Sequence, residues 1–466
     1  MALNPSVFKA YDIRGVYPSQ LDEEGVRDIT RGIYTFLKRS MKKDRLTITI
    51  GRDMRLSSPS LREVVAEELK KMGAQVYDMG LVTTPTIYFS VKNYGYDAGI
   101  QISASHNPKE YNGLKVVRAK GDILEKIGKT TGMDEVKRIT LEKDFEPYME
   151  GGEVHDKPNV IVEEVQAAID LVKPTHIKKF KVVSDAANAM GAVYITELFK
   201  HIPCELVKMN FELDGTFPVH QADPLQFKLH ADLQKKVVEE KADLGIAPDG
   251  DGDRVFFIDE KGQIIPATMI SSLITKEILT REKNARVLVD VRYTNNVTNI
   301  GKKYGGEILY SRVGHALITE QLNNEHAAFA GESSGHFYFR ESGGCENAIR
   351  VVLYILEAMG RENRTISELV AGVHSSYESG EYNFELPEGN NPKDLMEEIG
   401  KMHSEGKVSW LDGISVDYPE WRLNIRSSNT EPLLRLNVEA DTQEIMQAKL
   451  KELIDFILSK GAHAKE

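Results

Sequence analysis

The chain has 466 residues, 41% hydrophobic and 28% charged, which is the balance of an ordinary globular protein. At typical domain sizes, about 100–200 residues each, that length predicts three or four domains. A net charge of −12 argues against nucleic acid or an anionic membrane as partner, so an anionic ligand would need a local pocket of Arg, Lys and backbone N–H groups.

Two distant cysteines, Cys204 and Cys345, without C-x-x-C spacing, predict neither a disulfide framework nor a zinc site, as in a reducing cytosol. The opening MALNPSVFKAYDIRG lacks an apolar stretch behind positive charge, so no signal peptide is expected. No apolar run approaches the roughly 18–20 residues that cross a bilayer. A cytoplasmic protein with no membrane partner is the expectation.

Strand and helix signals alternate along most of the chain. LTITIGRD (46–53) reads as a buried strand, and SSPSLREVVAEELKKMG (57–73) as a helix with Ser58 or a neighbour as N-cap, Pro59 in its first turn and Gly73 as stop. AQVYDMG (74–80) is strand again, TTPTIYFSVKNYG (83–95) a second capped helix, and DAGIQIS (97–103) a third strand. That strand runs into HNPKEYNG, two turn dipeptides in a row, with Ser103 and Ser105 just before them. The end of a strand in an α/β sheet is where ligand groups are placed. The same order recurs in KVVSDAANAMGAVYITELF (181–199), CELVKM and ADLGIAPD (242–249), and again in ARVLVDVRYTNNVTNIGKKYG (285–305), EILYSRVGHALITEQLNN and AAFAGE (327–332). Strand–helix alternation implies right-handed βαβ units in parallel-rich sheets. From about residue 378 the pattern changes to a small α+β domain of antiparallel strands closed by the long amphipathic helix 442–460. The expected fold is therefore three similar α/β domains with mixed sheets, 1–152, 153–262 and 263–377, plus an α+β domain, 378–466. With no low-complexity linker, they should pack around a shared cleft, and a hinge is expected near residue 378.

LGIAPDGDGDRVFFIDEKG (244–262) is the strongest chemical signal. Asp249, Asp251 and Asp253 alternate with glycines at the end of a buried strand, and three such carboxylates repel one another unless a cation holds them. Hard oxygen ligands of this kind fit Mg²⁺. An EF-hand fails, because Arg254 stands where that loop needs glycine and the flanks read as strands. Arg254 suits a phosphate held against the metal. In IRSSNTEPLLRLNVEA (425–440), Arg426 and Arg435 flank a Ser-Ser-Asn-Thr turn, a nest for a phosphate dianion. AFAGESSGHFYF (328–339) places Glu332 and Ser334 on a glycine-hinged loop that could grip vicinal sugar hydroxyls. Arg292 and His315 sit at strand-to-helix junctions. No G-x-G-x-x-G follows the first strand, which disfavours a dinucleotide-dependent oxidoreductase.

Metal cluster, phosphate nest and polyol loop together point to a phosphosugar. KAYDIRG, GRDMRLSSP, SASHNP, DGDGDR, GESSGH and RSSNTEPLLR stand in the order of the α-D-phosphohexomutases, and the chain resembles their phosphomannomutase/phosphoglucomutase branch from residue 9 to 435. The resemblance implies four domains around a central cleft. It also implies a mutase that interconverts hexose 1- and 6-phosphates of mannose or glucose through a phosphoserine and a hexose 1,6-bisphosphate. By position the phosphoserine is Ser105, not Ser103; a phosphate there would complete the shell of Asp249, Asp251 and Asp253. Glu332 and Ser334 would hold ring hydroxyls, and Arg426, Ser428, Asn429 and Thr430 the non-reacting phosphate. Tyr11 and Arg14 would touch substrate or the serine loop, and His106, Lys115 and His315 are candidates for proton handling or orientation. Two positions depart from the branch: Arg292 stands where Lys is common, and Ser333 matches neither Met nor the Gln of phosphoglucosamine mutases. Phosphoglucosamine mutase, or a phosphatase or bisphosphate synthase using the same serine, are the alternatives. The protein is expected to work as a monomer or homodimer.

Overall fold

The computed structural model describes residues 3–387, 389–427 and 433–465. The apolar, β-branched runs zip into four sheets, three of which repeat one plan. In the first, Thr47–Arg52 lies between the parallel strands Gln75–Leu81 and Ala98–Ile102, and Tyr111–Lys120 adds antiparallel beyond Ala98–Ile102. In the second, Lys181–Asp185 lies between Glu205–Met209 and Leu244–Pro248, and Val255–Ile258 adds antiparallel. In the third, Arg286–Asp290 lies between Glu307–Ser311 and Phe329–Gly331, with Phe337–Phe339 antiparallel at the side. The central strands read as continuous apolar runs because helices cover both faces.

Local chemistry sets the helix ends. The Thr83 hydroxyl accepts from the Thr86 N–H, Pro85 sits in the first turn, and Gly95 at φ 67° stops the helix Thr84–Tyr94. Ser57 occupies the N-cap of Ser58–Lys71 but makes no side-chain cap bond; its hydroxyl accepts from Asn112 Nδ2 at 2.8 Å instead. The fourth sheet is antiparallel throughout, built on Tyr382–Glu385, Ile414–Asp417, Trp421–Ser427 and Leu433–Ala440 and covered by the helix Gln443–Ser459. A last strand, His463–Lys465, pairs with Tyr382–Glu385. Three residues of mixed polarity give no periodic signal, and sequence patterning does not show it.

The apolar cores divide unevenly. A single cluster runs from Val165 to Val373, so the second and third domains share one core, while the first domain and the C-terminal domain each have their own. The C-terminal domain meets the third largely through polar groups. The buried Glu439 carboxylate accepts from the Thr294 and Asn295 N–H groups at the start of the helix Asn295–Tyr304, and from Arg422. Glu378, where the two domains join, accepts from Thr268 Oγ1 and Asn296 Nδ2.

Burial, with the nearby charge of Glu439, pushes the Glu378 carboxyl up to about 8. The folded protein thus keeps a proton that the unfolded chain releases between about pH 4.5 and 8, and stability falls as pH rises through that window. Glu378→Gln removes the titration and keeps an acceptor for Thr268. We expect its melting temperature to exceed that of the wild type by about 2–4 °C at pH 8.5 and to match it at pH 4.5; an equal gain at both pH values would overturn this.

Candidate active site

In each of the three α/β domains the connection from the third parallel strand to the antiparallel one holds a chemical motif, and the three connections meet. In the first, Ser103 donates its N–H to the Gly113 carbonyl, and its hydroxyl accepts the Ser105 N–H at 3.0 Å. Ser105 itself lies in the left-handed region at φ 50°, a costly conformation for a residue with a β-carbon. Arg55, fully buried, holds it there by donating to the carbonyls of Ser105, Asn107, Pro108 and Tyr111 at 2.6–3.0 Å, while its Nε meets Asp53. The result aims Ser105 Oγ at Asp249 Oδ2, 3.0 Å away, with His106 Nδ1 at 3.2 Å. Ser103 is a structural cap.

The second connection carries the aspartates. Asp249 Oδ1 accepts the Gly252 and Arg254 N–H groups at 2.9 and 3.2 Å, which curls the loop so that oxygens of Asp249, Asp251 and Asp253 lie within 4.8 Å of one another. Gly250 is required by proximity, since a β-carbon there would stand 2.3 Å from the Ser105 carbonyl oxygen. The cation that offsets the mutual repulsion is Lys115, whose ammonium donates at 2.6 Å to both Asp251 Oδ2 and Asp253 Oδ2. Thr84 Oγ1 also donates to Asp251. Burial and the charges of Asp253 and Asp251 raise the Asp249 carboxyl well above the usual range. Burial opposes the charge of Asp253 too, but Lys115 and His336 hold it well below. Asp251 Oδ1 is buried without a hydrogen-bond partner among the described residues. An oxygen-only donor set, a bare buried carboxylate oxygen and a serine hydroxyl at its edge fit a hard divalent cation such as Mg²⁺.

The third connection brings His336. Its Nδ1 lies 3.0 Å from Glu332 Oε2 and 2.9 Å from Ser334 Oγ; its Nε2 lies 3.4 Å from Asp253 Oδ1 and 3.2 Å from Arg254 Nε. Burial disfavours the imidazolium, but the Asp253 and Glu332 carboxylates outweigh it and push the pKa up to about 9. Glu332 accepts also from Tyr338 OH at 2.9 Å and Arg292 Nη2 at 3.3 Å. Arg292 forks onto Asp290 at 3.0 and 3.1 Å. Ser333 turns its N–H and hydroxyl to the same Asp290, at 2.6 and 2.8 Å.

The remaining expected residues ring this centre. Arg14 bonds Asn107 of the serine loop and Asp12. Tyr11 packs edge-on to His315, ring centroids 5.5 Å apart, and His315 lies 6.4 Å from His336. Burial, aided by neighbouring cations, lowers both His106 and His315 well below the ordinary range, so both are neutral at pH 7. Arg426 and Arg435 stand opposite each other in the antiparallel strands Trp421–Ser427 and Leu433–Ala440 of the fourth sheet. Ser428, Asn429 and Thr430 lie outside the described residues.

Comparison with known proteins gives this arrangement a lineage. Family models match in chain order: phosphoglucomutase/phosphomannomutase alpha/beta/alpha domain I over residues 5–145, domain II over 161–262, domain III over 266–377 and the C-terminal domain over 381–455. The chain belongs to the phosphoglucomutase/phosphomannomutase family. It is 37% identical to a phosphomannomutase of Vibrio cholerae, over 97% of this chain and 98% of that one. It is 35% identical to a phosphomannomutase of Methanocaldococcus jannaschii, over 98% of each. A crystal structure of a phosphoglucomutase/phosphomannomutase family protein from Burkholderia thailandensis superposes with a TM-score of 0.87 at 30% identity, covering 99% of both chains. The protein is thus a phosphohexose mutase, an isomerase of four domains. No helix of the described residues is long and apolar enough to cross a membrane.

Two residues of this mutase's site stand out only in three dimensions. His336 lies in the GESSGH motif, yet one histidine in a turn says nothing until Asp253 and Glu332 are seen at its two nitrogens. Arg55, in GRDMRLSSP, carries no sequence signal of its own, whereas its guanidinium ties the carbonyls of the serine loop together.

Gly250→Ala tests how closely the two loops must approach. With 2.3 Å available, the β-carbon must part the aspartate loop from Ser105, at a cost of about 1–3 kcal/mol. We expect kcat to fall by about 10²-fold, since small displacements of reacting groups cost that much, with a cooperative melt retained. Wild-type turnover in a folded variant would show that the contact is dispensable.

Proposed function

We propose that the protein interconverts the 1- and 6-phosphates of mannose and glucose, using Ser105 as phosphoryl carrier and a hexose 1,6-bisphosphate as intermediate and activator. The observation that supports this most is the 3.0 Å approach of Ser105 Oγ to Asp249 Oδ2, at the rim of the aspartate cluster.

With a phosphoryl group on Ser105, the free C1 or C6 hydroxyl oxygen of the sugar attacks phosphorus as the P–Oγ bond breaks, and the sugar leaves that step as a bisphosphate. The hydroxyl proton needs an acceptor, and Ser105 Oγ needs a proton when it leaves. Neutral His106, with Nδ1 3.2 Å from Ser105 Oγ, can accept the sugar hydroxyl's proton and return it to Oγ as the P–Oγ bond breaks, whereas Lys115 and His336 enter as cations that donate hydrogen bonds. The intermediate then turns over in the cleft, and its other phosphoryl group returns to Ser105 by the reverse step. Asp249, Asp251, Asp253 and Ser105 would hold Mg²⁺, whose charge would offset that of the transferred group. Arg254, buried between Asp249 and His336, can hold the phosphoryl oxygens. Glu332 and Ser334 offer the sugar an acceptor and a hydroxyl, with Arg292 and Tyr338 fixing Glu332. Arg426 and Arg435, with Ser428, Asn429 and Thr430, would grip the non-reacting phosphate, while Tyr11, Arg14 and His315 line the approach. Ser333 is occupied with Asp290, which leaves reading of the sugar to its neighbours.

The test is ³¹P NMR with Mg²⁺, a trace of glucose 1,6-bisphosphate, and mannose, glucose or glucosamine 1-phosphate in separate samples. Growth of the 6-phosphate resonance is expected with mannose and glucose; faster turnover of glucosamine 1-phosphate would overturn the sugar assignment, and release of free phosphate would replace the mutase reading by hydrolysis. Ser105→Ala should lower kcat at least about 10³-fold without altering the melting curve. EDTA should silence the wild type and added Mg²⁺ restore it.

A further inference from the structure

Arg426 and Arg435 are directly opposed residues of the antiparallel pair Trp421–Ser427 and Leu433–Ala440. Like charges in that register repel. The group between them is Glu381, 45 residues earlier in the chain than Arg426: its Oε2 accepts from Arg426 Nη2 and its Oε1 from Arg435 Nη1, both at 3.0 Å, and Oε2 lies 3.9 Å from Arg292 Nη1. One carboxylate thus stands where three guanidinium groups converge.

Its backbone is anchored. Glu381 follows Gly380 at φ 80°, between the strands Tyr377–Glu378 and Tyr382–Glu385, both of which pair with Leu433–Ala440. Ser379, two residues before, is tied to Val438 twice, N–H to carbonyl at 2.9 Å and Oγ to N–H at 3.0 Å. Arg426 is 2% exposed, and its Nε–H is buried without an acceptor among the described residues. It therefore has donor capacity beyond what Glu381 uses. Burial works against the Glu381 charge, but Arg292, Arg426 and Arg435 outweigh it and keep the carboxylate ionised.

We propose that Glu381 is a resident stand-in for the substrate's non-reacting phosphate, which keeps Arg426 and Arg435 converged in the empty cleft and competes with phosphate for them. This rests on reading those arginines as the phosphate site. A phosphate dianion offers more acceptor oxygens and more charge than a carboxylate, so it displaces Glu381, but its binding is weakened by what the carboxylate already supplied. On release, the carboxylate returns and the guanidiniums are never left buried and unpaired. That suits a site from which a bisphosphate must let go, turn and rebind.

The probe is inorganic phosphate, titrated calorimetrically into the full chain in EDTA. The heat lost in Arg426→Gln defines binding at this site; no loss would mean that phosphate binds elsewhere, and would overturn the phosphate-site reading and this proposal together. Given that loss, Glu381→Gln, which keeps an acceptor but no charge, is expected to bind phosphate about five- to ten-fold more tightly, as removal of a competing charge at this distance predicts. In turnover, KM and kcat should fall together. Glu381→Asp, which draws the charge back by one methylene, should shift phosphate affinity in the same direction by less, and serves if the Gln variant shows no cooperative melt. Unchanged or weaker phosphate binding in a folded variant would make Glu381 only a brace for the arginines and overturn the proposal.

Discussion

Three carboxylates with oxygens within 4.8 Å of one another, at the buried end of a strand, cannot all stay ionised unless cations reach them. The cations arrive from different parts of the fold. Lys115 comes from the antiparallel strand of the first domain, Arg254 from the aspartate loop, and His336 from the third domain. The first domain has an apolar core of its own, separate from the one that the second and third domains share. Small apolar clusters also join the first domain to the other two, Met54 against Ala187, Met190 and Ala222 and Tyr88 and Leu124 beside Val160 and Cys345, but at the aspartate cluster the join is made by charge. Assembly and reactivity depend on the same interaction, since a cluster of anions that needs outside cations to be stable is also one that can receive a metal ion and a phosphoryl group.

The repeated sheet explains why the counter-charges arrive in register. In all three α/β domains the strand order is the same, so the connection after the third strand emerges at the same edge. Three copies facing one another put three such connections together, with serine on one, aspartates on the next and Glu332 with His336 on the third. Small residues allow the contact: Gly250 passes against the Ser105 carbonyl where no β-carbon fits. The fourth domain, with its hairpin and antiparallel sheet, contributes by a different geometry and to a different end of the cleft.

What the sequence showed and what it hid follow from how each residue acts. The triplicated α/β pattern, the antiparallel C-terminal domain and the four motif loops are legible because strand periodicity, glycine spacing and charge runs are local signals. The choice between Ser103 and Ser105 rests on resemblance; in the structure the Ser103 hydroxyl accepts a backbone N–H and the Ser105 hydroxyl turns to Asp249. Lys115 was legible as a candidate, but not as the counter-ion of the aspartates, because that depends on strand register across two domains. Arg55 and Glu381 act through partners about 50 residues away in sequence, on carbonyls in one case and guanidiniums in the other. Such roles leave no trace in spacing.

The joint between the third and fourth domains has the opposite character from the welded centre. The fourth domain completes its own apolar core, so moving it exposes little hydrocarbon. What crosses the joint is a set of hydrogen bonds: Glu439 to the start of the helix Asn295–Tyr304, Arg422 to the Val291 carbonyl, Asp412 to the Val313 N–H, Asn437 to Tyr293. Each of these groups can find water when the joint opens, so breaking them costs far less than tearing a core of the same area. The polar joint thus leaves the cores of the first three domains independent of how the fourth is seated.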